Sequence, residues 1–142
     1  MTSVDHSAKT PTVVVCLVLQ DANGAVLVTQ RPEHKNLGLL WEFPGGKVER
    51  GEDPKNALRR EIQEELCFAI DGLDPLPSVA HTYDFGHIEL LPYLSVCVRR
   101  PNFMMTEHVA ARWIAPSDWE SLNWAPADIP IIKYLLNQAD IL

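Results

Sequence analysis

An α+β fold, or a mixed β-sheet with helices packed on it, in a single domain, is the architecture this sequence predicts. Three observations carry that expectation. Apolar, β-branched runs of strand length alternate with helix signals in the order strands, helix, strands, helix. The 142 residues suit one compact domain with a real core. No internal repeat, low-complexity tract or linker divides them.

The elements follow in order. The start, MTSVDHSAKT, is polar and lacks an apolar signal-peptide region, so residues 1–10 are expected as a short flexible arm and 11–142 as the domain. TVVVCLVLQ, residues 12–20, reads as a buried strand, DANG as a tight turn, and AVLVTQR, residues 25–31, as the returning strand of a hairpin. PEHKNLGLLW is a loop, and EFPGGKVERGED is punctuated by Pro44, Gly45, Gly46 and Gly51. Asp53-Pro54 starts a helix, with Asp53 as N-cap and Pro54 at the first helical position, running to about Leu66. DGLDPLP breaks the chain. SVAHTYDF and HIELLPYLSVCV then read as strands, the second expected to bulge at Pro92. ARWIA, residues 111–115, is a short strand, PSDWESL opens a short helix after Pro116, and DIPIIKYLLNQA is an amphipathic C-terminal helix.

Composition narrows the class. The chain is 46% apolar and 22% charged, as in ordinary soluble proteins, and its apolar runs are too short to span a bilayer. Cys16, Cys67 and Cys97 are odd in number and widely spaced, which fits reduced thiols in the cytoplasm, packed as small core or element-end residues. With a net charge of -7 and no basic stripe, a nucleic acid polymer is not the expected partner. A polyphosphate still is, provided that divalent cations stand between it and the protein.

One stretch, PGGKVERGEDPKNALRREIQEELCF, concentrates that chemistry. Like charges three or four apart on a helix repel, so Glu61, Glu64 and Glu65 together need compensation. At about 100° per residue, Leu58, Ile62 and Leu66 form an apolar stripe and the three glutamates share an arc of roughly 100° beside it. Arg60 lies one turn before Glu64 and can hold that carboxylate. A solvated acidic helix face is the competing reading, since Glu is a strong helix former. Hard cations such as Mg²⁺ take carboxylates together with substrate phosphates.

The wider spacing weighs against the solvated face. Gly46, Glu52, Arg60-Glu61-Ile62, Glu64 and Glu65 resemble the Nudix hydrolase signature G-x5-E-x7-R-E-U-x-E-E-x-G-U, with Phe68 at the last bulky position. Cys67 stands where the family has Gly, which places the helix end in question. The resemblance implies an α/β/α sandwich, a central mixed sheet between helices, and divalent-cation-dependent hydrolysis of a nucleoside triphosphate to monophosphate and pyrophosphate. It implies Mg²⁺, with Mn²⁺ as the alternative, held by Glu61, Glu64, Glu65 and the Gly45 carbonyl. Glu107, six residues before Trp113, would add one more ligand from a later loop. Glu61 is the favoured acceptor of the water proton, with Glu64 and Glu107 as rivals. A non-catalytic nucleotide-binding domain of the family should lack some of these carboxylates, and here all are present.

WEFPGGKVE, residues 41–49, and WAPADIP, residues 124–130, further resemble the 8-oxo-dGTP diphosphatase branch. On that resemblance Arg31 and Lys47 contact phosphates, Glu42, Phe43 and Pro44 line the nucleotide cleft, and Asp128 reads the base. Ionised, Asp128 only accepts, which suits the N1-H and 2-amino donors of an oxidised guanine. Protonated, it suits cytosine, and relatives with the same APADIP run act on cytidine-type triphosphates. A helix N-cap is its plainer role. Other nucleoside-diphosphate-X compounds remain an alternative substrate class. Monomer and homodimer are both open. His34, His81, His87 and His108 show no paired zinc spacing, and no Ser or Cys sits in a G-x-S-x-G elbow. Trp113, Trp119 and Trp124 read as core or cleft wall.

Overall fold

The computed structural model describes residues 10–141. The expected N-terminal arm, except for Thr10, lies outside the described residues. Strand β1 (Thr12–Gln20) is the middle of an eight-stranded sheet. It pairs antiparallel with β2 (Val26–Gln30) and β4 (Gly45–Lys47), and parallel with β7 (Gly86–Val96). β2 in turn carries β3 (Trp41–Glu42) and β8 (Ala110–Ile114), while β7 carries β5 (Asp74–Pro75) and β6 (Val79–Tyr83). One parallel pair among antiparallel ones makes the sheet mixed.

Alternation along β1 decides what covers each face. Val15, Leu17 and Leu19 point to the side of helix α1 (Pro54–Leu66), where they meet Leu58, Ile62 and Leu66. Cys16 and Val18 point to the other side, where Ile131 and Ile132 of helix α2 (Ile129–Ile141) pack with Trp41, Phe43 and Trp124. The sheet is therefore sandwiched between helices. Among the described residues, no helix is long and apolar enough to cross a membrane.

The helix start is as the sequence predicts: the Asp53 side chain accepts from the Asn56 N–H and Pro54 follows it. Pro92 does not bulge. The β1–β7 register runs without a break from Thr12↔Ile88 through Cys16↔Pro92 to Gln20↔Val96. The N–H and C=O of one strand residue face the same neighbour, and the Pro92 carbonyl accepts from Leu76 N at 2.9 Å. The missing donor thus faces the stretch between the β6 pairing, which reaches Leu90, and the β5 pairing, which begins at Tyr93. No ladder bond is lost there. PSDWESL forms a 3₁₀ turn (Pro116–Ser121) instead of an α-helix, and a second 3₁₀ turn (Pro126–Asp128) leads into α2.

Helix α1 ends on Cys67, with φ 63° and ψ 36°, and the Cys67 N–H donates back to the Ile62 and Gln63 carbonyls. Its thiol is exposed, unlike the buried Cys16, so of the two places expected for the cysteines, core and element end, Cys67 takes the second. Loop residues then satisfy the last carbonyls. Met104 N donates to Leu66 O, Thr106 N to Glu65 O, and Thr106 Oγ1 to Glu64 O. The segment carrying Glu107 and His108 is thereby stitched to the end of α1.

Candidate active site

Arg60 resolves the repulsion among the glutamates. Its Nε and one terminal nitrogen clasp Glu52 at 2.8 and 3.0 Å. Its other terminal nitrogen reaches Glu61 at 3.1 Å and Glu64 at 3.2 Å, while the nitrogen that clasps Glu52 also donates to the Lys47 carbonyl. One guanidinium thus hydrogen-bonds three carboxylates, with Glu49 a fourth at 3.9 Å, and ties α1 to the segment after β4. The hydrogen bond from Arg60 holds Glu52 below the usual carboxylate range.

The glycines explain how close that segment lies. A Cβ on Gly45 would strike the Val15 carbonyl, and one on Gly46 would fall on the Glu61 carboxylate. Strand β4 can lie flat on β1, and Glu61 can lie along β4, only because both side chains are absent. Burial in this crevice pushes the Glu61 carboxyl up, against the pull of Arg60.

Glu65 points the other way, into the protein. Its side chain is 3% exposed, and its Oε2 is buried with no hydrogen-bond partner. Burial first, then the charges of Glu61, Glu107 and Glu42, push its carboxyl up to about 9. His108 lies between Glu65 and Glu42, with Nε2 3.1 Å from Glu42 Oε2 and 3.7 Å from Glu65 Oε1. Glu42 Oε1 pairs with Arg31 at 2.9 Å, and Arg31 Nε donates to Asn36 O. Glu107 is exposed and pairs loosely with Lys35, at 3.8 Å.

Asp128 closes the far end. It is 6% exposed, and its Oδ2 accepts from the Phe43 N–H at 2.8 Å. That bond goes to β3–β4 and not to the first turn of α2, so the expected N-cap role is not what its carboxylate does. Burial and the neighbouring Glu42 charge push the carboxyl well above its ordinary range. This direction runs against the ionised form expected for reading guanine donors. Tyr83 buttresses the same turn, its hydroxyl oxygen accepting from Ala127 N at 2.8 Å.

One cleft of about 780 Å³ joins these ends. Of the residues singled out in the sequence, Arg31, Glu42, Phe43, Gly45, Lys47, Glu61, Glu65, Glu107 and Asp128 line it. Three are not among its lining residues. Glu64 is 58% exposed and turned to Arg60. Arg60 lies behind Glu61, and Pro44 is fully buried, with its carbonyl accepting from Leu17 N. Sequence reasoning weighed His108 only as a zinc ligand and gave Tyr83 no role. The adjacency of His108 to Glu107 was the one signal for it, and nothing local marks Tyr83.

The residues fit a divalent cation by their donor chemistry. Carboxylate oxygens suit hard cations, and the buried unpartnered Oε2 of Glu65 faces no competing hydrogen bond. Among the described residues, no three such groups stand at ligating spacing, because Glu61 and Glu64 turn to Arg60 and Glu107 turns to Lys35.

Known proteins share this fold and the sequence pattern of its family. The family model described as the NUDIX domain matches residues 9–135. The chain is similar to the CTP pyrophosphohydrolase of Escherichia coli (strain K12), 34% identical over 122 residues, 85% of this chain and 87% of that protein. It is similar also to the 8-oxo-dGTP diphosphatase of Proteus vulgaris, 42% identical over 77 residues, 54% of this chain and 69% of that protein. In fold it matches the crystal structure of a MutT protein from Methanosarcina mazei Go1, with a TM-score of 0.82 at 18% identity, covering 92% of this chain and 96% of that one.

Proposed function

This chain belongs to the NUDIX family of pyrophosphohydrolases, and from that premise we propose that it hydrolyses a nucleoside triphosphate to the monophosphate and pyrophosphate in the cytoplasm, with Mg²⁺ as its cation. The observation that carries this reading is the single cleft with carboxylates of α1 at one end and buried Asp128 at the other. A polyphosphate needs the first, and a base held by hydrogen bonds needs the second.

Glu61, Glu65, Glu107 and the Gly45 carbonyl would hold the cation, with Glu64 closing the set from the helix edge. When bound, the cation neutralises phosphate oxygens and makes water easier to deprotonate. Arg31 and Lys47, which line the same cleft, orient the phosphate chain. Glu61 accepts the proton of the attacking water. Its half-buried carboxyl, raised by desolvation, is a stronger base than an exposed one. Glu64, exposed and outside the cleft lining, is less suited to that step. Arg60 fixes the bearing of Glu61.

For the base, a neutral Asp128 sets a donor beside an acceptor. The edge formed when guanine is oxidised at C8, N7-H beside O6, complements that pattern, and so does the 4-amino group beside N3 of cytosine. An oxidised guanine nucleotide is the reading we adopt, supported by likeness to the Proteus diphosphatase. A cytidine triphosphate is the second reading, supported by likeness to the Escherichia coli enzyme over most of both chains. Comparing kcat/KM for 8-oxo-dGTP, dGTP, CTP and dCTP tests the choice. An 8-oxo-dGTP value at least tenfold above the others is expected, and a preference for either cytidine nucleotide overturns it.

A further inference from the structure

We propose that His108 is a positioning residue that ties the arginine wall of the cleft to the carboxylate helix through Glu42. The proposal rests on the reading of the cleft as a polyphosphate site. The side chain of His108 is 4% exposed, and its Nε2 faces two carboxylates from different elements, Glu42 of β3 at 3.1 Å and Glu65 of α1 at 3.7 Å. The shorter contact is a hydrogen bond, and it requires the proton on Nε2. Nδ1 is buried with no partner. A Leu or Met would fill this space with no unpaired atom, so packing alone does not account for an imidazole here.

The backbone on both sides of His108 is fixed. Thr106 N donates to Glu65 O at 3.0 Å, and Val109 N donates to Gln30 O at 3.1 Å. The ring is therefore held between the end of α1 and the end of β2, where Arg31 begins the next loop. Glu42 is the link. One of its oxygens takes the His108 proton and the other holds Arg31 at 2.9 Å. With both oxygens engaged, Glu42 cannot rotate without releasing one partner. Arg31 is thus presented to the cleft in one bearing, and Glu65 keeps a polar neighbour that limits its swing. Substrate affinity should feel the loss of this link more than turnover does.

His108→Met and His108→Gln test the proposal, because the two side chains are nearly isosteric and only Gln can donate to Glu42. Melting temperatures establish that both fold. For His108→Met we expect KM for the nucleoside triphosphate to rise about tenfold, the loss of one hydrogen bond to a charged group, with kcat changed less than about threefold. His108→Gln should recover KM to within about threefold of wild type. Glu42→Leu should make the further change His108→Met nearly silent, since it leaves no acceptor for either His108 or Arg31. Titration with Mn²⁺ alone, followed by electron paramagnetic resonance, should show weaker binding to the Met variant than to the Gln variant. Equal losses in the two variants, or none in either assay, overturn the proposal. If wild type hydrolyses no nucleoside triphosphate, the functional reading falls, and the Mn²⁺ titration still decides the role of His108.

Discussion

The backbone N–H of Phe43 donates to Asp128 Oδ2 at 2.8 Å, joining positions 85 residues apart. The bond fixes this carboxyl against the β3–β4 segment, and burial with the nearby Glu42 charge pushes it well above the ordinary Asp range. An amide imitates a neutral carboxyl, since its oxygen can accept from Phe43 while its nitrogen donates. Asp128→Asn should therefore keep kcat/KM within a few-fold at neutral pH, whereas Asp128→Ala should lose about ten- to a hundredfold. Steady-state kinetics decide it. A comparable loss in Asn would mean that the ionised form does the reading.

The same shift has a sign in stability. The folded pKa of Asp128 lies above its unfolded value, so this group's contribution is full below the unfolded pKa of about 3.9 and is lost as pH rises through the folded value. Wild type should then lose stability relative to Asp128→Asn as pH climbs from about 4 upward. Denaturant melts of the two proteins across pH, in EDTA, measure the difference. Parallel curves would contradict the assigned protonation.

Glu65→Gln should abolish most turnover at any Mg²⁺ concentration while leaving the fold intact. The amide cannot supply an anionic ligand, yet it removes a buried carboxyl crowded by Glu61, Glu107 and Glu42. Melting in EDTA should show no loss, and Glu64→Gln should behave alike. Normal turnover in both variants would remove α1 from the cation site.

Gly46→Ala separates activity from stability in another way. The added Cβ falls on the Glu61 carboxylate, the mobile end of a side chain, so the backbone can stay while Glu61 swings aside. We expect kcat to fall at least about tenfold with the melting temperature lowered by only a few degrees, as for a surface substitution. Equal kcat would show that the bearing of Glu61 is immaterial.

Cys67→Gly should stabilise by up to about 1 kcal/mol, because φ of 63° costs a residue with a Cβ and costs Gly nothing. The exposed thiol gives up no packing in exchange. Urea melts check the sign, and kcat should not change.

The parts of this molecule that sequence made legible are local ones. Asp53-Pro54, the Leu58–Ile62–Leu66 stripe and the glutamate arc are each set by residues within a few positions, so helix α1 and its charged edge could be read directly. The two- and three-residue strands β3 and β4 could not, because their pairing is imposed by β2 and β1 and not by their own composition. The unbroken register at Pro92 depends on where β5 and β6 happen to end. His108 enters the site only through carboxylates 66 and 43 positions away, and the Asp128 carboxyl is pushed up chiefly because the fold buries it. Protonation state is a property of the assembled interior, which no window of sequence contains.

Pyrophosphate release from nucleoside triphosphates, with Mg²⁺ and with EDTA, measures the central claim most directly. The cleft geometry predicts one pyrophosphate per monophosphate in Mg²⁺, none in EDTA, and restoration when Mg²⁺ is added back. Release that persists in EDTA, or orthophosphate as the first product, would contradict it.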